Sequence, residues 1–226
     1  MKKTHLAALI SFSIGILALA GCKQETPPAP ESTAVSPAPA ETAAAPEFPE
    51  RPFFGDTHLH TSYSVDAGAF GARLTPRDAY IFAKGNEVTA SSGQPAKLRR
   101  ALDWLVVADH SDAMGLFPML LNGTPEVMAD AQGKKWHDMI TSGQGNAAAI
   151  DIITNFSLGK ISPAILPLPG TKAYASAWQD TIKAAEDAND PGKFTAFIGY
   201  EWTSNTGGNN LHRNVIFRDN GDKAGK

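Results

Sequence analysis

The chain has 226 residues, a formal charge of −3 and one cysteine, Cys22. A single cysteine excludes an internal disulfide. The mild acidity, and the lack of basic runs interleaved with aromatics, exclude nucleic acid as a partner.

The chain opens with Lys2 and Lys3 and an apolar run from Leu6 to Ala20, short for a membrane span and shaped like a secretory signal. The run ends in Leu19-Ala20-Gly21-Cys22, which resembles the lipobox of bacterial lipoproteins, where the cysteine is lipidated and becomes the new N-terminus. Residues 1–22 are therefore read as a lipoprotein signal peptide, with Cys22 the site of lipidation. Lys23 stands where lipoproteins retained in the inner membrane carry Asp, so the expected location is the outer membrane, facing the periplasm. Loss of the signal removes two lysines and no acid, leaving 18 basic against 23 acidic residues and a mature charge of about −5.

Residues 23–50 are rich in Pro, Ala, Glu, Thr and Ser, with Val35 the only large aliphatic residue before Phe48. Such a segment buries too little apolar surface to offset its ordering entropy, so a disordered tether is expected. Its prolines favour extended conformations that reach on the order of 80 Å from the lipid surface.

Residues 51–226 are long enough for one substantial core. Phe53 to His60, Leu105 to Ala108 and Phe194 to Tyr200 have the length and residue types of buried strands, and Asn214 to Phe217 is a candidate fourth. Thr75-Pro76 suits a helix start that carries Ala79, Phe82 and Ala83 inward. A second helix is expected from Pro125 to Ile140, and a helix-like core at Ala147 to Phe156. The strongest runs from Thr171 to Ala188, with Tyr174, Trp178, Ile182 and Ala185 on one face and Asp190-Pro191-Gly192 as its stop. Strands alternating with helices predict an α/β fold with a parallel sheet, either a barrel or an open sheet, whose function gathers at the C-terminal ends of the strands.

Metal-ligand residue types stand at those ends. Asp56, His58 and His60 alternate along the first strand and can share one face. Asp56 would be either a ligand or the carboxylate that orients a ligand histidine. The second strand runs into Asp109-His110 and the third into Glu201. Taken alone, His110 reads equally as a structural histidine and Glu201 as a solvated carboxylate; their common placement moves both toward ligands. Asp66, in a loop with Gly68 and Gly71, is either a further ligand or a turn-stabilising aspartate. His212 follows a polar loop and opens the next apolar segment. Asp112 reads as a helix cap, His137 as structural, and Arg213 as pointing away from His212. Imidazole and carboxylate without thiolate suit Zn, Mn or Fe. Such a site best lowers the pKa of a bound water to give hydroxide, which makes hydrolysis the natural reaction class.

Gly55-Asp56-Thr57-His58-Leu59-His60-Thr61-Ser62-Tyr63-Ser64 with Asp66 resembles the first motif of the PHP (polymerase and histidinol phosphatase) superfamily. Ala108-Asp109-His110 is similar to its second motif, Glu201 to its third-motif glutamate and His212 to the histidine that follows. Phe197-Ile198-Gly199-Tyr200-Glu201-Trp202 and Asn210-Leu211-His212-Arg213-Asn214 further resemble an exported branch known only as a domain of unknown function. The resemblance implies a distorted (β/α)7 TIM-like barrel with two or three divalent ions that cleaves phosphoesters. It makes His58, His60, Asp66, His110, Glu201 and His212 metal ligands, with His58, His60 and Glu201 central to catalysis and Asp56 and Asp109 orienting the ligands. PHP domains continue with another histidine and an Asp-x-His on a late strand, which do not occur after His212; residues 51–226 are thus expected to be the N-terminal part of such a domain, an incomplete barrel.

The leading expectation is a lipid-anchored, metal-dependent phosphoesterase acting on a small-molecule phosphoester. The alternatives are an amidohydrolase-type metal hydrolase, and a truncated lipoprotein that binds metal without turnover.

Overall fold

A computed structural model describes residues 51–204 and 209–226; Cys22, the signal and the tether lie outside the described residues. In chain order the elements are β1 (Gly55–Leu59), α1 (Val65–Ala69), α2 (Pro76–Ala83), β2 (Val88–Thr89), β3 (Pro95–Ala96), β4 (Trp104–Val107), α3 (Leu116–Asn122), α4 (Pro125–Ala129), α5 (Ala131–Thr141), α6 (Gly145–Ser157), α7 (Lys172–Ala188), β5 (Thr195–Phe197), β6 (Gly199–Ser204), β7 (Leu211–Ile216) and α8 (Gly221–Ala224). The fold is mixed α/β, and its sheets are small and open.

The main sheet is parallel, in the order β1-β4-β5. β4 occupies the centre because Leu105, Val106 and Val107 can be buried on both faces. β1 lies against it closely: a Cβ on Gly55 would come within 2.2 Å of the Trp104 ring. The pairing sets Asp56 opposite Leu105 but Leu59 opposite Val107, so β1 holds one extra residue between them. That bulge breaks the two-residue alternation.

Each parallel step needs a crossover. α2 supplies the first and starts as expected at Thr75, where Thr75 and Asp78 form a reciprocal capping box. Tyr80, not Phe82, is the aromatic it fully buries, its hydroxyl donating to the Phe197 carbonyl at 2.9 Å. α7 supplies the second, capped by Thr171 and buried along Ala177, Thr181, Ile182 and Ala185. α2 and α7 pack on one face of the sheet around Leu105, Val107, Phe194 and Ile198. The helix expected from Pro125 to Ile140 is two helices, α4 and α5. They break at Asp130, whose carboxylate accepts the Gln132 and Gly133 N–H groups and so caps α5. α1, α3, α5 and α6 enclose a second core centred on Leu116, Phe117, Leu120, Trp136 and Ile152.

The strand expected over Phe194 to Tyr200 is divided at Ile198 into β5 and β6. β5 pairs with β4; β6 continues its line and forms an antiparallel hairpin with β7. Gly199 permits this change of partner, since a Cβ there would stand 2.5 Å from the Val106 side chain and 2.8 Å from the Val215 carbonyl. Among the described residues no helix lines the opposite face of the main sheet, which borders an open cleft of about 700 Å³ with Phe53, Trp104, Val106, Phe197 and Ile216.

Candidate metal centre

Beyond the last paired residues of β4 and β5, backbone hydrogen bonds keep the two chain segments side by side. The Glu201 N–H donates to the Asp109 carbonyl at 2.9 Å and the Ser111 N–H to the Glu201 carbonyl at 2.7 Å, in a parallel bridge between His110 and Glu201. On the other side, the Ala108 N–H donates to the Leu59 carbonyl at 2.8 Å. Three strand ends are thus held level, and their side chains meet.

The Glu201 side chain stands at the middle, 1 % exposed. Its Oε1 is 3.2 Å from His58 Nε2 and 2.9 Å from His212 Nδ1; its Oε2 is 3.2 Å from both His60 Nε2 and His110 Nδ1. Asp66 lies across the two inner rings, 3.3 Å from His60 Nδ1 and 3.4 Å from His110 Nε2. All six residues expected as ligands therefore come together. They form three overlapping groups that could each hold an ion: His58, His60 and Glu201; His60, Asp66 and His110; His110, Glu201 and His212.

Whether a cation fits can be judged from what these atoms otherwise lack. Both Glu201 oxygens and His60 Nε2 are buried with no hydrogen-bond partner, an arrangement that costs several kcal/mol when a charge is left unmatched. Four imidazoles around one carboxylate cannot all be protonated against one another. Two ligands each about 2.1 Å from one ion lie roughly 3.0–3.4 Å apart, and the separations above cover that range. The donor set fits a divalent cation.

Protons are the substitute when no ion is bound. Burial alone would lower His60, but the hydrogen bond to Asp66 and the fields of Asp66, Asp109 and Glu201 outweigh it and raise its pKa. Burial would raise Asp66, yet hydrogen bonds from His110, His60 and Ser64 hold its carboxyl well below the usual range. Asp109, with no exposed surface, is pushed up to about 6 by burial, against the hydrogen bonds from Thr61.

The supporting carboxylates act through the backbone. Asp109 accepts from the Thr61 N–H and, at 2.6 Å, from the Thr61 hydroxyl, fixing the turn that follows His60. Asp56, displaced by the bulge, accepts the His58 backbone N–H at 2.8 Å and is in none of the three groups; no hydrogen bond runs from it to a ligand ring among the described residues. Asp112 is not a helix cap, because α3 is capped by Gly115. Its carboxylate accepts the Thr203 N–H at 3.0 Å, and burial raises its pKa. Ala113 beside it is held at φ 60°, a left-handed conformation that non-glycine residues rarely adopt. His137 is structural, with Nδ1 2.7 Å from the Leu120 carbonyl, and Arg213 turns to the His212 carbonyl.

Two hydroxyls that sequence reasoning passed over join the ligands. Ser64 Oγ is 3.0 Å from His60 Nδ1, donates to Asp66 at 2.6 Å and accepts the His110 N–H at 3.1 Å. Thr203 Oγ1 lies between His110 Nδ1 at 2.8 Å and His212 Nδ1 at 3.1 Å. Thr203 stands two residues after Glu201, so strand alternation was a signal for it; Ser64 had none.

Residues 47–226 match DUF3604, a family of proteins of unknown function. The chain belongs to that family. No curated protein and no solved structure matches it. The DUF3604 match spans every residue of the cluster, from His58 to His212, and brings no activity with it.

Proposed function

We propose that this DUF3604 chain is a metal-dependent hydrolase of the PHP type, acting as a phosphoesterase. The observation that carries the reading is the buried Glu201 carboxylate, unpartnered between four imidazole nitrogens at 2.9–3.2 Å. Divalent ions, Zn, Mn or Fe and two or three in number, would supply Lewis acidity that makes water nucleophilic near neutral pH and offsets charge gathering on the substrate. The chain's own residues do the rest. Glu201 spans the centre, its two oxygens facing different histidine pairs. Asp66 faces the outer nitrogens of His60 and His110: with an ion in that group it would be a ligand beside them, and without one it accepts their N–H groups and fixes the tautomer that leaves each inner nitrogen free to bind. Ser64 and Thr203 hold those rings against rotation, and Asp109 fixes the turn that carries them.

The same reading extends to the fold. Helices cover one face of the parallel sheet while the other lines a cleft; an open doubly wound sheet would have both faces covered. One-sided cover supports a distorted (β/α)7 barrel in which this sheet is the first part. The reading also retains Cys22 as a lipid anchor that places the domain in the periplasm.

Metal analysis of the purified chain, followed by assay on an aryl phosphate, tests the hydrolase reading. Stoichiometric metal is expected, with turnover abolished in His58→Ala and Glu201→Ala. A folded protein without metal, or turnover that survives both substitutions, rejects it.

A further inference from the structure

Beside the cluster lies a cleft of about 350 Å³ that the metal ligands fill on one side only. Asp66, His110 and His212 form that side, with Asp112, Thr203 and Asn210 near them. The opposite wall is apolar: Val65 and Phe70 from the α1 region, and Ile152, Ile153 and Phe156 from α6. Ile152 is fixed in the core, whereas Phe70 is 56 % and Ile153 39 % exposed, both facing the cleft without a covering partner.

We propose that this wall is the binding site for the apolar part of the substrate, so that the compound acted on is an ester with a single hydrophobic group, an aryl or short branched alkyl, beside an anionic head at the cluster. The inference rests on the hydrolase reading for its chemistry and on the cleft for its specificity. Size sets one bound: a cavity near 150 Å³ holds a benzene ring, so about 350 Å³ accommodates one ring and its head group and is small for a nucleotide. Charge sets the other. No Lys or Arg lines the cleft among the described residues, leaving the cluster as the only site for a negative group. A sugar or second phosphate against Val65, Ile152 and Phe156 would give up its hydrogen bonds to water and gain none, whereas an apolar group buries surface that Phe70 and Ile153 otherwise expose.

Phe70 and Ile153 are exposed, so Phe70→Ser and Ile153→Asn leave the cores intact and touch no proposed ligand. Calorimetry on the full chain loaded with Zn²⁺ or Mn²⁺ compares phenylphosphonate with methylphosphonate. Phenylphosphonate is expected to bind at least about tenfold more tightly, and the double variant is expected to lose that preference while keeping its metal content and its affinity for methylphosphonate. Equal binding of the two phosphonates, no binding of either, or a preference that survives the double variant overturns the proposal. Turnover separates it from the reading beneath it. A phenyl preference in binding with no hydrolysis of phenyl phosphate leaves the cleft standing and removes the hydrolase; equal hydrolysis of phenyl and methyl phosphates does the reverse.

Discussion

Glu201 shows at the residue scale what a buried carboxyl without a hydrogen bond can signify: four imidazole nitrogens surround it in groups that could hold a cation. Glu201→Gln keeps the shape and removes the charge, and is expected to eliminate stoichiometric metal, measured by elemental analysis of folded protein. Ser64→Ala spares all six ligands but frees the His60 ring and Asp66, and a fall of about 10–100-fold in metal affinity is expected by competition with a chromophoric chelator. The metal-free protein should also show a defined pH response. The raised pKa of His60 contributes stability below its unfolded value of 6.5 that is lost as pH rises through the folded value. Asp109 contributes below its unfolded 3.8 and loses that contribution as pH climbs through about 6. Asp66, held low, loses its contribution only below about 3.8, outside this window. The urea midpoint of the metal-free chain is therefore expected to fall between about pH 4 and pH 6 as Asp109 ionises, and to fall further above pH 6.5 as His60 loses its proton. Asp109→Asn should shallow the slope, and added metal should reverse it, because the ion displaces protons and binds better as pH rises. His58, His60, His110 and Glu201 were legible in the sequence because each is a distinctive residue type at the end of an apolar strand; Asp66 and His212 stood out only through the motif resemblance. Ser64 was not, since a hydroxyl in a loop signals nothing until the fold sets a ring beside it; Thr203 had only its two-residue spacing from Glu201 to mark it.

At the scale of elements, the site depends on a few backbone details. A methyl group on Gly199 has no room between Val106 and the Val215 carbonyl. Gly199→Ala is expected to destabilise by about 1–3 kcal/mol through overpacking and, because β6 carries Glu201 and Thr203, to weaken metal binding as well. Asp130→Ala is the contrasting case: loss of the α5 cap should cost about 1 kcal/mol in chemical denaturation with metal affinity unchanged. These details also mark where sequence reading ended. Period and punctuation located β4, α2 and α7, whose patterns are strong. The bulge in β1, the division of the third strand at Ile198 and the break at Asp130 answer to tertiary packing and to capping. Alternation could not foresee that Asp56 leaves the face it would otherwise share with His58 and His60.

At the scale of the molecule, the parallel sheet has helices α2 and α7 on one face, and a helical layer from α1 and α3 to α6 encloses its own core. The three groups draw on residues as far apart in sequence as His58 and His212, so ions bound in them would together tie β1, β4, β6 and β7. Metal should raise the thermal midpoint in a concentration-dependent way, about 2.7 kcal/mol at a hundredfold excess over the dissociation constant, and EDTA should remove the gain. Among the described residues no helix is long and apolar enough to cross a membrane; the proposed attachment is the one assigned to Cys22. Cys22→Ser is expected to abolish incorporation of labelled palmitate and release the chain from the membrane fraction. The α/β class was legible because strands and helices alternate; the division of the strands into one three-stranded and two two-stranded sheets was not, because it is a property of strand pairing.

Among the described residues β1 is the edge strand of that sheet, with four of its five residues, Gly55 to His58, exposed. Two of its outward groups are already taken, the His58 N–H by Asp56 and the Thr57 carbonyl by the Asn214 side chain, so only the remaining amide and carbonyl groups are open to another chain lying alongside, next to the exposed rings of Phe53 and Phe54. In concentrated solution its self-association would set the practical ceiling, so light scattering at rising concentration should show growth in particle size well before the fold is lost. A charged substitution at Phe53 or Phe54 is the change most apt to keep the protein in solution.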